Sequence, residues 1–136
     1  MSAGYSGTPL AKKLGFKDGL RVATINAPDG YRGWLDGLPA TASISSALGS
    51  SPAAVHLFCT RRSDLARTLK SLRTKLQADG FIWVSWPKRT SAVTTDVTED
   101  TIRDVALPLG FVDVKVCAVT DTWSGLKLVI RRSERT

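Results

Sequence analysis

Three short segments carry the residues best suited to chemistry. Thr60-Arg61-Arg62-Ser63 follows one apolar run, Trp86-Pro87-Lys88-Arg89 follows the next, and Trp123-Ser124-Gly125 lies between the last two. Guanidinium groups grip phosphate or carboxylate with paired donors, and lysine adds a point charge. Indole rings can stack on a base or cover a ring. Ser63 and the free amides of a helix starting there would add an anion site. If the preceding strands lie side by side in one direction, their exits meet at one carboxyl edge, where open α/β sheets place ligands. Thr60, Arg61, Arg62, Ser63, Trp86, Lys88, Arg89 and Trp123 would then form an anion crevice. A plainer alternative stays open, in which both tryptophans pack the rim of the sheet as core and the arginines are solvated.

Other candidates are weaker. Arg67, Lys70, Arg73 and Lys75 fall off the leucine stripe of the helix after Ser63. Such a basic face can lie along phosphates without reading sequence, which keeps nucleic acid as a second class of partner. A solvated helix face fits the same residues, and no nucleic-acid motif accompanies them. His56 is the sole histidine and sits inside an apolar run, so it reads as a core residue without a catalytic partner. Cys59 lies near Arg61 and Arg62, which would lower its thiol pKa. One histidine and two separated cysteines make no metal set. Asp29, Asp121 and Glu99 cannot be paired from their spacing, and Glu99 reads as a helix cap.

Nucleotide cofactors of methyl or hydride transfer want a glycine-rich turn after the first strand and an acid after the second. Here the turn is Asn26-Ala27-Pro28-Asp29-Gly30, with one glycine and with Pro28 lacking a backbone donor. Ser45 and Ser46 stand where the acid would. No cofactor is therefore expected. A degenerate S-adenosylmethionine-dependent methyltransferase remains as a third reading, behind a non-catalytic domain that binds a small nucleotide-like or phosphate-like anion.

These residues need elements to hold them. The chain has 136 residues, 43% of them hydrophobic and 23% charged, with a net charge of +7. That length predicts one domain over residues 1–136, with residues 1–7 and 132–136 frayed. The positive excess favours polyanionic partners. No apolar run approaches the ~18 residues of a membrane span. The start lacks the basic and apolar regions of a secretory signal. Cys59 and Cys117 lie in apolar runs without a disulfide framework, which suits a reducing cytoplasm.

Thr8-Pro9 predicts the start of a short helix, with Thr8 as its cap. Leu20 to Ile25 reads as a strand, Tyr31 to Leu38 as a short helix, and Ala42 to Leu48 as a weak second strand. Val55 to Cys59 and Phe81 to Trp86 are continuous apolar runs, the mark of strands covered on both faces. Between them Leu65, Leu69, Leu72 and Leu76 recur at helical spacing, with Ser63 placed to cap. Pro87 to Thr95 is a polar loop, either a lid or a plain connection. Asp96 to Glu99 predicts a capping box before a helix through Ile102, Val105, Ala106 and Leu109. Phe111 to Val119 and Leu126 to Ile130 form a hairpin around a turn at Thr120 to Gly125. The sum is an α/β fold: a Rossmann-like, mostly parallel sheet with crossover helices and a C-terminal antiparallel hairpin.

This order resembles the later half of a Rossmann-type methyltransferase, with one strand-helix unit missing from the front half. The stretches Leu10 to Val22, Gly80 to Lys88 and Asp96 to Arg132 resemble a small bacterial family, a domain of unknown function numbered thirty fifty-two in its series. The resemblance implies a bacterial cytoplasmic domain. The family brings no assigned activity, cofactor or catalytic residue with it.

Overall fold

The computed structural model describes residues 7–135. The predicted fraying of residues 1–6 and 136 lies outside the described residues. At the other end, Arg132–Glu134 forms a 3-10 turn, and Arg135 Nε donates to the carbonyl of Ile130 at 2.9 Å.

Six strands form one sheet. In chain order they are β1 (Arg21–Ile25), β2 (Ser43–Ser45), β3 (Ala54–Phe58), β4 (Phe81–Pro87), β5 (Phe111–Ala118) and β6 (Trp123–Ile130), arranged β2-β1-β3-β4-β6-β5. The first four are mutually parallel, and β6 runs antiparallel to both β4 and β5. The expected fold class is therefore the observed one. β3 and β4 are in register from Ala54 opposite Phe81 to Phe58 opposite Ser85, so their exits are adjacent.

Strand alternation sorts side chains onto two faces. One face carries Val55, Leu57, Ile82, Val84, Trp86, Leu126 and Leu128 against α2 (Arg62–Lys75) and α3 (Glu99–Ala106). The leucine stripe of α2 is buried as its spacing requires, with Leu65 and Leu69 fully covered. The second face carries Val22, Ile44, Phe58 and Trp83 against α1 (Leu10–Lys13) and Tyr31. Trp83 locks α1 down by donating its indole N–H to the carbonyl of Leu14 at 2.8 Å.

Several local expectations are corrected. Pro9, not Thr8, precedes α1, and it caps with no side-chain hydrogen bond. The predicted helix at Tyr31 to Leu38 is a 3-10 turn over Tyr31–Trp34. The capping box belongs to Thr98 and Thr101, whose side chains reciprocally engage each other's backbone N–H, so Glu99 is a first-turn acid paired with Arg103. Trp123-Ser124-Gly125 is not turn but the start of β6, with Trp123 opposite Pro87.

The return from β2 to β3 is made without a helix. Residues 46–53 cross the first face as loop, and Leu48 packs into the core there. The loop docks against the end of α2, where Gln77 donates its backbone N–H to Pro52 and its side-chain amide to Ser51. Gly80 then turns the chain into β4. A Cβ at that position would stand 2.7 Å from the carbonyl oxygen of Ala53, so only glycine fits.

Candidate anion-binding site at the carboxyl edge

Lys88 and Arg89 leave β4 at its carboxyl end and enter a loop that returns to the α3 N-terminus. Under this loop is a cavity of about 660 Å³. Trp86, Lys88, Arg89 and Thr95 border it, as do Glu99 and Asp100 at the start of α3. Trp86 itself is 8% exposed, so its indole is core that shows one edge to the cavity. Among the described residues, neither Lys88 nor Arg89 has an ion-pair partner, whereas Glu99 and Asp100 are both held by Arg103.

The loop is tied at both ends. Lys88 N–H donates to the carbonyl of Thr122 at 2.7 Å, and Ser91 Oγ donates to the carbonyl of Lys88 at 2.8 Å. Beyond the tip, Thr95 Oγ1 and the Asp96 N–H both donate to the carbonyl of Thr60, at 2.7 and 3.2 Å. Val97 is buried in the core. Only the middle of the loop is unanchored by such bonds.

Asp96 changes the expected site. Its Oδ1 accepts the backbone N–H of Arg62 at 2.6 Å. The helix starts at Arg62 with Arg61 as N-cap, and Ser63 makes no capping bond. A carboxylate from a distant loop therefore occupies the N-terminal end of α2, satisfying one of its orphan donors and its positive dipole end. A ligand anion would have to displace it. The side chains of Arg61, Arg62 and Ser63 are exposed beside this junction but do not border the cavity.

The tryptophans do not converge. Trp86 faces α2 and α3, while Trp123 lies on the opposite face, edge-on to Phe58 with ring centroids 5.1 Å apart. Register accounts for this, because Trp86 pairs with Ser124 and Trp123, one position before it on β6, points the other way. The crevice thus divides: Trp86, Lys88 and Arg89 share a cavity, Thr60 anchors the loop above it, and Trp123 packs beneath the sheet.

The basic face of α2 is also smaller than its sequence suggests. Arg67 is paired with Asp64 at 2.8 Å, and Arg73 turns inward to donate its Nε to the carbonyl of Leu109 at 3.0 Å. Lys70 and Lys75 remain exposed.

The nucleophile and base candidates are buried. Burial, with the nearby charges of Asp64 and Asp96, pushes the Cys59 thiol up to about 12, overturning the expectation that Arg61 and Arg62 would lower it. His56 is fully buried, and burial pulls it down to about 3. Its Nδ1 lies 2.7 Å from Tyr31 Oη and its Nε2 lies 2.7 Å from Ser85 Oγ. A neutral imidazole has one N–H, so one hydroxyl donates to it and the other accepts from it. Sequence reasoning missed both partners, which stand 25 and 29 residues away. Among the described residues, no group of three or more His, Cys, Asp or Glu is placed to hold a metal ion. No helix among them is long and apolar enough to cross a membrane.

A parallel sheet closed by an antiparallel β4-β6-β5 edge is the fold of Rossmann-like methyltransferases. The pyocyanin biosynthetic protein PhzM is similar at a TM-score of 0.66 and 12% identity, covering 89% of this chain and 53% of that one. The chain thus spans about half the length of that protein. A SAM dependent methyltransferase from Aquifex aeolicus matches at a TM-score of 0.65 and 13% identity, over 89% of this chain and 87% of that one. A ribosomal protein L11 methylase from Lactobacillus delbrueckii subsp. bulgaricus matches at 0.55 and 12%, over 90% and 76%. Likeness at such identities speaks for the fold alone. No curated protein sequence matches the chain. Residues 52–132 match the family model described as a protein of unknown function (DUF3052), and the chain belongs to that family.

Proposed function

We propose that this chain is a non-catalytic ligand-binding domain on a methyltransferase-like scaffold. It takes a small anion, phosphate or a phosphate ester, in the cavity at the exit of β4. The observation that carries this reading is the pair Lys88 and Arg89, two cations that line the cavity with no ion-pair partner among the described residues. Trp86 adds an apolar surface. The non-catalytic reading is supported by the burial of Cys59 and His56, which burial holds uncharged. Methyl transfer finds little support at the first turn, where Pro28 supplies no amide and no carboxylate follows β2.

A ligand that binds only the folded state raises the melting temperature in proportion to its occupancy. Inorganic phosphate at about 100 times its dissociation constant should raise it by several degrees. Lys88→Ala and Arg89→Ala should each remove most of that gain. Arg62→Ala, whose side chain lies outside the cavity, should keep it. A melting curve unmoved by phosphate, nucleotides and polyphosphate rejects the proposal.

A further inference from the structure

A second cavity, of about 510 Å³, opens between the ends of β1 and β2 and the flank of α2. It stands where the chain changes direction across the sheet. β2 lies on one side of β1, and β3 resumes on the other. Such switch points are where doubly wound sheets receive ligands. The cavity exists because residues 46–53 cross this face as loop rather than helix.

Its chemistry differs from that of the loop cavity. Ile25, Leu48 and Leu72 make an apolar floor, and Ser46, Thr68 and Arg67 make a polar rim. No carboxylate borders it. Arg67 gives only Nη2 to Asp64, in an exposed pair with side chains 75% and 46% accessible. Such a pair is weak enough for an incoming oxyanion to compete for the guanidinium.

We infer that this cavity takes a flat apolar group carrying a phosphate ester, the chemistry of a nucleoside monophosphate, and binds the same nucleoside more weakly without its phosphate. At a switch point an acid serves to accept sugar hydroxyls, whereas an arginine serves to hold a phosphate. Here the position after β2 offers Ser46, and the arginine is present. An acid at Ser46 would repel the phosphate; serine hydroxyls instead donate to it.

The test is calorimetry on the full chain with adenosine monophosphate, adenosine, inorganic phosphate and S-adenosylmethionine as probes. The monophosphate should bind at least about tenfold more tightly than adenosine. With the loop cavity disabled by Lys88→Ala, Arg67→Ala should erase that difference, and Ser46→Asp should weaken the monophosphate while sparing adenosine. Both positions are exposed, so circular dichroism should show unchanged folding. Lys88→Ala alone should keep the preference for the monophosphate over adenosine, which separates this site from the loop cavity. Equal affinity for adenosine, full monophosphate affinity when Arg67→Ala is added to Lys88→Ala, no monophosphate binding, or its loss in Lys88→Ala would each overturn the inference. The last outcome would place the ligand under the β4 loop instead.

Discussion

His56 is the residue whose environment is most decisive. It sits in the core with a hydroxyl on each ring nitrogen, 2.7 Å away on both sides. The unfolded chain carries a histidine with a pKa near 6.5, while burial pulls the folded one to about 3. Between those values the unfolded state binds a proton that the native state refuses, so stability falls as pH drops through that window. Melting temperature measured from pH 7 to pH 3 should show this decline, and His56→Leu should make it shallower. At neutral pH the same substitution should lose about 2–4 kcal/mol, because Tyr31 and Ser85 are left without their buried partner. Ser85→Ala strands only one ring nitrogen and should lose less, about 1–3 kcal/mol in denaturant unfolding.

At the scale of elements, the junction of α2 with the β4 loop is held by one carboxylate. Asp96→Ala removes the acceptor for Arg62 N–H, with an expected loss of about 1 kcal/mol in chemical denaturation. Asp96→Asn keeps an acceptor oxygen and should recover most of it. This junction also shows where sequence reading reaches its limit. The strands β3 and β4 were legible because both are continuous apolar runs, and α2 because its leucines repeat at one spacing. The cluster of Trp86, Lys88 and Arg89 was legible because the three are near neighbours in the chain. Asp96 was not, since it caps across 34 residues and no local pattern marks a cap supplied from another loop. Trp123 was misplaced for a different reason. Its side of the sheet depends on the pairing register of β6, and a shift of one residue reverses every side chain.

On the scale of the molecule, the sheet has two unlike edges. β2 is three residues long, and Arg32 donates to the carbonyl of Ile44 at 2.6 Å. β5 is longer and leaves Val114 and Val116 54% and 51% exposed. A register shift between Asp113 and Lys115 and the charge of Lys115 blunt this edge against further pairing. Val116→Lys should lower light scattering in concentrated samples and change unfolding free energy by less than about 0.5 kcal/mol. The order β4-β6-β5 has one more consequence, for synthesis on the ribosome. A nascent chain that has emerged only through Ala118 carries β4 and β5 but lacks the strand that joins them. β4, an apolar ribbon, then has a bare flank until Trp123 to Ile130 arrives to insert between β4 and β5, so the window for misassembly stays open until β6 has emerged.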